Sequence, residues 1–315
     1  MANKERYIPL IPGLLLLVGV LIYVCFTPAH VPVGQDLFTI GIYEGDSPWN
    51  FRPLPGLAQP ILTAEDIPDT RVRYVADPFM VHQGSQWYLF FEAMNAKRHK
   101  GQIALIVSRD LRHWHYQGMV LVEPFHLSYP YVFKWRGVYY MIPESFEDKT
   151  IRLYRAQKFP TQWTFVKDLV HGPYADTSIF RYRGKWWIST VNPRGNYRMY
   201  LFYADQLAGP WHPHALNPVI KHNAHFARCG GRIISDGGKL YRYAQDDYKL
   251  YGNKLWAFQI TDLTTTSYAE RLTPHNPILT ASGQGWNKEG MHTVDPHRIG
   301  KKRWIACVDG RRWRW

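Results

Sequence analysis

Tyr74-Val-Ala-Asp-Pro-Phe-Met-Val81, Gln86-Trp-Tyr-Leu-Phe-Phe-Glu92, Ile103-Ala-Leu-Ile-Val-Ser108 and Trp114-His-Tyr116 are four short apolar or aromatic stretches separated by turn residues. Runs of this length, rich in β-branched and aromatic side chains and bounded by Gly and polar residues, read as strands. The set recurs as Tyr129-Pro-Tyr-Val-Phe133, Val138-Tyr-Tyr-Met-Ile-Pro-Glu144, Ile151-Arg-Leu-Tyr-Arg-Ala156 and Trp163-Thr-Phe165. A third copy runs from Asp176 through Trp186 and Trp187 to Trp211, and a fourth from near Arg228 through Leu240–Gln245 and Leu255–Phe258 to Tyr268. A period of about fifty residues signals a repeat architecture, and four-stranded units around a channel are the propeller solution to exposed sheet edges. The fifth unit shows only Thr293–His297 and Arg303–Val308, so Phe38–Tyr43 is expected to supply its missing strand and close the ring. The fold expected is all-β, a five-bladed β-propeller over 31–315. A sandwich or jelly roll would also use short strands but does not explain the period.

The rest of the chain fits one such domain. No Gly/Ser, Pro-rich or charge-block linker divides its 315 residues, and 22 prolines and 24 glycines fall at short intervals, as turns between many strands require. The formal charge of +13 points to an anionic partner or surface, though Lys97–Lys100, Lys301–Arg303 and Arg311–Arg314 also read as solvated faces. No nucleic-acid motif accompanies them, so nucleic acid is not an expected partner. Residues 1–30 read as a cytoplasmic tip and membrane anchor: Ile8–Phe26 carries no charge and nineteen residues, against the ~30 Å hydrocarbon core. Lys4 and Arg6 precede it and acidic residues follow, so the positive-inside rule places the body outside the cytoplasm, in the periplasm if the cell is bacterial. A cleaved signal peptide is the alternative. Of three cysteines, Cys25 lies in the apolar run, and spacing does not decide whether Cys229 and Cys307 pair.

In a propeller the first strand of each blade lines the channel, so the residues that open those strands converge. Here they are polar: Asp77, then His126 and Ser128, Asp176, Arg228, and His292 with Asp295. Glu92, Glu144, Gln245 and Asp246 end second strands and reach the same face if the turns bring them round. For any one of these a strand-end hydrogen bond is as good a reading; the coincidence of position carries the functional one. The fourteen histidines show no HExxH or paired-Cys spacing, and neither a P-loop, a GxGxxG strand-to-helix turn nor a serine-hydrolase elbow is present. No cofactor or metal is therefore expected, although His126 and His292 with nearby acids leave a metal-dependent reading open.

Ala76-Asp-Pro78, Ser108-Arg-Asp-Leu-Arg-His-Trp114 and Gly209-Pro-Trp211 resemble recurrent features of five-bladed glycosidases of glycoside hydrolase families 43 and 32. The span from Ala76 to Leu272 is similar to the propeller on the N-terminal side of plant glucosamine inositolphosphorylceramide transferases and related bacterial proteins, through Phe125–Phe133, Met141–Glu144 and Tyr203–Trp211. The glycosidase resemblance implies an aspartate in blade one, a second near blade three and a glutamate in blade four. Asp77 and Asp176 match; Arg228, in Ala227-Arg-Cys-Gly-Gly231, stands where the third acid belongs. The expectation is a membrane-anchored glycosidase or transglycosidase acting on a cell-surface glycan or glycolipid. Asp77 would activate water or an acceptor or attack the anomeric carbon, Asp176 would tune charge, and Glu144 would donate the proton. His126, Arg228, Gln245, Asp246, His292 and Glu92 would hold the ligand, with Arg228 suited to a carboxylate or phosphate. The rival is a glycan-binding module that assists a separate glycosyltransferase, which the missing acid favours.

Overall fold

A computed structural model describes residues 35–314 except 195 and 196. The described residues form five antiparallel sheets arranged as five blades. Blade one is Val72–Gln83, Gln86–Asn95, Lys100–Ser108 and His115–Leu121, in that order from axis to rim. Blade two is Ser128–Trp135, Val138–Glu144, Thr150–Lys158 and Gln162–His171; blade three is Ala175–Tyr182, Lys185–Asn192, Arg198–Ala204 and His212–Pro213. Blade four has a split inner strand, Arg228–Cys229 and Ile234–Asp236, both paired with Lys239–Asp246, followed by Lys254–Leu263 and Tyr268–Leu272. Blade five joins the two ends of the chain: Val294–Gly300, Arg303–Arg314, then Gln35–Ser47 and Asn50–Pro53. The expected closing strand is therefore in place, with Phe38–Tyr43 inside it. One compact unit spans Asp36–Trp313. The expected anchor, 1–30, lies outside the described residues, among which no helix is long and apolar enough to cross a membrane.

Local sequence explains the hairpins. Arg136–Gly137 and Arg183–Gly184 each place two consecutive residues at positive φ (48° and 82°, 47° and 81°), the type I′ geometry that matches strand twist. Each hairpin then stacks its apolar faces on its neighbours. Ile40, Ile42 and Ile305 of blade five pack with Val75, Met80 and Leu89 of blade one, all buried, while Tyr131 and Ile142 of blade two meet Ile179, Trp186 and Ile188 of blade three. Such side chains contribute about 1.5–3 kcal/mol each on burial, so the core is a set of layers between blades surrounding a polar axis.

Candidate functional site

The same irregularity opens the inner strand of three successive blades. The ladder skips between Ala76 and Phe79, Ser128 and Tyr131, and Ala175 and Ser178. The residue in each bulge is left-handed: Asp77 at φ 51°, Tyr129 at 45° and Asp176 at 48°. A bulge of this kind re-aims one side chain, and non-glycine residues hold positive φ only where surroundings impose it. Two of the three redirected side chains are the aspartates that the sequence singled out.

Asp77 sits where blades five, one and two meet. Its Oδ1 accepts from the Thr293 hydroxyl at 2.8 Å, and its Oδ2 from the Tyr129 N–H at 3.3 Å. Its own N–H donates to Asp309 Oδ2 at 3.1 Å, and Asp309 also lies 2.7 Å from His292 Nδ1. Burial disfavours the Asp77 charge most; His292 offsets this, Asp309 and Asp176 add to it, and the carboxyl is pushed up to about 6. Burial opposes the His292 charge as well, but Asp309 overrides it and raises the imidazole to about 9. Asp77, His292 and Asp309 could offer one metal-ligand atom each, all within 4.8 Å of one another. In this arrangement His292 Nδ1 faces the Asp309 carboxylate.

Across the mouth, Asp176 Oδ2 accepts from Arg228 Nε and from Gln245 Nε2, the latter at 3.1 Å. Arg228 spends its other nitrogens on Asp247 Oδ2 at 3.2 Å and the Tyr251 hydroxyl at 3.3 Å, and lies 4.8 Å from the centre of the Tyr251 ring. Glu144 Oε2 accepts the Asp176 N–H at 3.2 Å. Burial, then the charge of Asp176, holds the Glu144 carboxyl well above the usual range. Gln245 Oε1 is buried with no hydrogen-bond partner.

Glu92 forms a third corner. The Tyr74 hydroxyl donates to its Oε1 at 3.4 Å, and burial followed by the nearby acids holds its carboxyl well above the usual range. His126 Nδ1 accepts the Gly101 N–H at 2.9 Å, leaving Nε2 3.5 Å from Glu92. Burial lowers the His126 pKa.

Of the residues expected from sequence, the structure draws Asp77, His292, Glu144, Asp176, Arg228, Gln245, Glu92 and His126 into this network. It does not bring Asp246 in. Strand alternation turns Asp246 away once Gln245 faces inward, and its carboxylate is held by His225 Nδ1 (2.9 Å), Trp256 Nε1 (3.0 Å) and the Tyr248 N–H (3.0 Å). Asp295 faces Arg232 (2.6 Å) and His297 (2.8 Å), and although burial opposes its charge, Arg232 and then these partners' hydrogen bonds hold it down at about 2, with the Arg232 pair joining blades four and five. Sequence reading missed Asp309, Thr293, Asp247, Tyr251 and Tyr74. Asp309 was findable: it is next to Val308, which pairs with Val294, and so occupies the strand-end position of Glu92 and Glu144.

The geometry has relatives. Residues 33–311 match the family model described as "Glucosamine inositolphosphorylceramide transferase 1, N-terminal". The chain is 35% identical over 306 residues to glucosamine inositolphosphorylceramide transferase 1 of Oryza sativa subsp. japonica, covering 90% of this chain and 41% of that protein. Against the Arabidopsis thaliana protein of the same name it is 31% identical over 300 residues, 88% of this chain and 39% of that one. The chain thus spans about two-fifths of the curated relatives it matches. Among solved structures, the Bacteroides ovatus protein named Xyloglucan PUL GH43B superposes with a TM-score of 0.58 at 12% identity, covering 77% of this chain and 55% of that one. An exo-1,5-alpha-L-arabinanase from a bovine ruminal metagenomic library gives 0.54 at 13%, covering 77% and 94%. At those identities the solved structures share the fold and no more, whereas the sequence match runs through all five blades and the whole network at the mouth: this chain belongs to the glucosamine inositolphosphorylceramide transferase 1 N-terminal domain family.

Proposed function

We propose that the chain is a carbohydrate-binding propeller, anchored in a membrane through 1–30, whose channel mouth holds a sugar of a glycan or glycolipid while a separate glycosyltransferase performs the chemistry. The observation that carries this is Arg228. It stands in the place of the glycosidase acid and locks Asp176 to Asp247, so a catalytic carboxyl is replaced by an ion-paired brace. Its three nitrogens already donate within the site, which argues against the anionic ligand that its sequence position implies. Around it, the carboxyl groups of Asp77, Asp176, Asp247, Asp309, Glu92 and Glu144 outnumber Arg228 and His292. Such a mouth favours hydroxyls and an ammonium, in line with the glucosamine in the relatives' name. An ammonium reaching Glu144 or Glu92 would lower that carboxyl's pKa, make a charge-assisted bond and release a proton.

Titration calorimetry of amine-bearing, N-acetylated and uronic sugars in buffers of different ionisation enthalpy tests this. The amine-bearing sugar should bind tightest, by about 1.5–3 kcal/mol over the N-acetylated one, and with proton release. Tightest binding by the uronic sugar would overturn the reading.

One observation favours catalysis instead. Asp77, with its carboxyl at about 6, shares the mouth with Glu144, whose carboxyl is held well above the usual range, and two carboxyls poised apart suit a glycosidase or transglycosidase. On that reading Asp77→Asn abolishes turnover while leaving affinity within a few fold; on the binding reading no turnover is present to lose.

A further inference from the structure

We propose that the propeller carries a second ligand site outside the channel, a cleft beside blade four built on His225 and Asp246 that takes two adjacent hydroxyls of a neutral sugar ring. It extends the carbohydrate reading above, on which it rests for the class of ligand but not for the existence of the site. It starts from Asp246, which the strand Lys239–Asp246 turns away from the mouth. The Asp246 side chain is fully buried, and three N–H groups converge on it, from His225 Nδ1, the Trp256 indole and the Tyr248 backbone. The carboxyl is therefore the acceptor in each contact, which makes Nδ1 the donating nitrogen of His225 and leaves Nε2 for another partner. The His225 ring is 42% exposed, so that partner can reach it. Asp246 also fixes the ring opposite, because its bond to the Tyr248 N–H holds that residue with its ring against His225, centroids 4.5 Å apart.

His225 and Tyr248 line a cleft of about 450 Å³ together with Tyr197, His222 and Asn223, a size within the range of small-ligand sites. Asn223 Oδ1 accepts the N–H groups of His225 and Phe226, both at 3.0 Å, which fixes the carboxamide. Among the described residues, neither Asn223 Nδ2 nor His225 Nε2 has a hydrogen-bond partner. The cleft thus offers a donor and, in the neutral imidazole, an acceptor two residues apart. A carboxylate only accepts and an ammonium only donates, whereas a hydroxyl does both, so a pair of neighbouring sugar hydroxyls satisfies the two groups together. The rings of Tyr197 and Tyr248 supply apolar surface for the C–H faces of the sugar. Tyr197 and His222 hold φ at 49° and 52°, the backbone strain that surroundings impose at ligand clamps. The next residue, Asp247, separates the cleft from the mouth: its N–H donates to the Ala224 carbonyl at 2.9 Å, while its carboxylate takes Arg228. The two sites therefore lie on either side of one strand end.

The test uses the full chain, nitrogen-15-labelled at histidine and held in a detergent without a sugar headgroup, titrated with methyl glucoside, methyl glucuronide and glucosamine. The imidazole signal of His225, identified as the one missing from His225→Phe, should move as methyl glucoside is added. His225→Phe keeps a ring against Tyr248 and removes Nε2, and it should bind the glucoside about five- to tenfold more weakly while the tighter glucosamine site at the mouth is unchanged. Asn223→Asp keeps the oxygen that holds the turn and removes the Nδ2 donor, and it should lose glucoside affinity to a similar extent. Unchanged glucoside affinity in both variants, or a His225 signal that does not respond to the glucoside, would overturn the site. Tighter binding of the glucuronide than of the glucoside at His225 would overturn the neutral class of ligand. Absence of a glucosamine site at the mouth, with the glucoside still moving the His225 signal, would count against the reading of the mouth and leave the cleft supported.

Discussion

Arg228 lies between two buried carboxylates, Asp176 and Asp247, and its removal leaves both without their cation. Arg228→Met should therefore destabilise the fold by about 3–5 kcal/mol, as breaking a buried pair from one side does, and urea denaturation measures it. A change below about 1 kcal/mol would mean that water reaches the pair, as it does at surface bridges. His292 makes a pH-dependent contribution whose sign is fixed by its pKa, raised from 6.5 to about 9 in the fold. The folded state binds the proton more tightly than the unfolded chain, so the stabilisation is complete below pH 6.5 and is lost as pH rises through 9. Melting temperature should fall across that window, and His292→Gln should flatten the fall. Asp77, raised from 3.8 to about 6, acts in the same direction but in the acidic window between those values. At this scale the sequence was legible where a residue opens or ends a strand, which is why Asp77, Asp176, Glu92 and Glu144 were found. Asp246 was misplaced because a run of Gln-Asp-Asp does not reveal which member faces inward, and the structure turns Gln245 in and Asp246 out.

The blades are held to one another by short polar and backbone links near the axis, and blade four shows what these require. Its inner strand breaks at Gly230–Gly231, where Gly231 (φ 152°) bridges Val294 of blade five and its carbonyl accepts from Ser178 of blade three. A Cβ on Gly231 would stand 1.8 Å from the Val294 carbonyl oxygen, so Gly231→Ala must push two blades apart. Thermal unfolding should drop sharply and the Arg228–Asp176 contact should be lost from a structure of the variant; an unchanged melting curve would show that the blades tolerate the gap. The fifty-residue period made the hairpins readable, and the incomplete fifth unit pointed to Phe38–Tyr43 as the closing strand. The split in blade four was not readable, because Gly-Gly marks a turn as readily as the close approach of another backbone.

The molecule as a whole separates its charges. Lys97, Arg98 and Lys301–Arg303 are exposed, Arg242 and Arg311 are buried, and the mouth gathers carboxyl groups around Arg228 and His292. Overall charge suggested an anionic partner, and the local field at the mouth suggests the opposite, because short acids are held inward by strand ends; Arg311, expected on a solvated face, is buried instead. Net charge thus speaks to the surface that the protein approaches, and the mouth to the ligand it takes. The central claim is that the mouth is a sugar site, and the direct test is a crystal structure of the protein soaked with an amine-bearing glycan. Density for the sugar within hydrogen-bonding distance of Glu144, Glu92 or Asp77, with the Arg228 brace intact, is the predicted result. Well-defined sugar density elsewhere on the propeller and an empty mouth would contradict it.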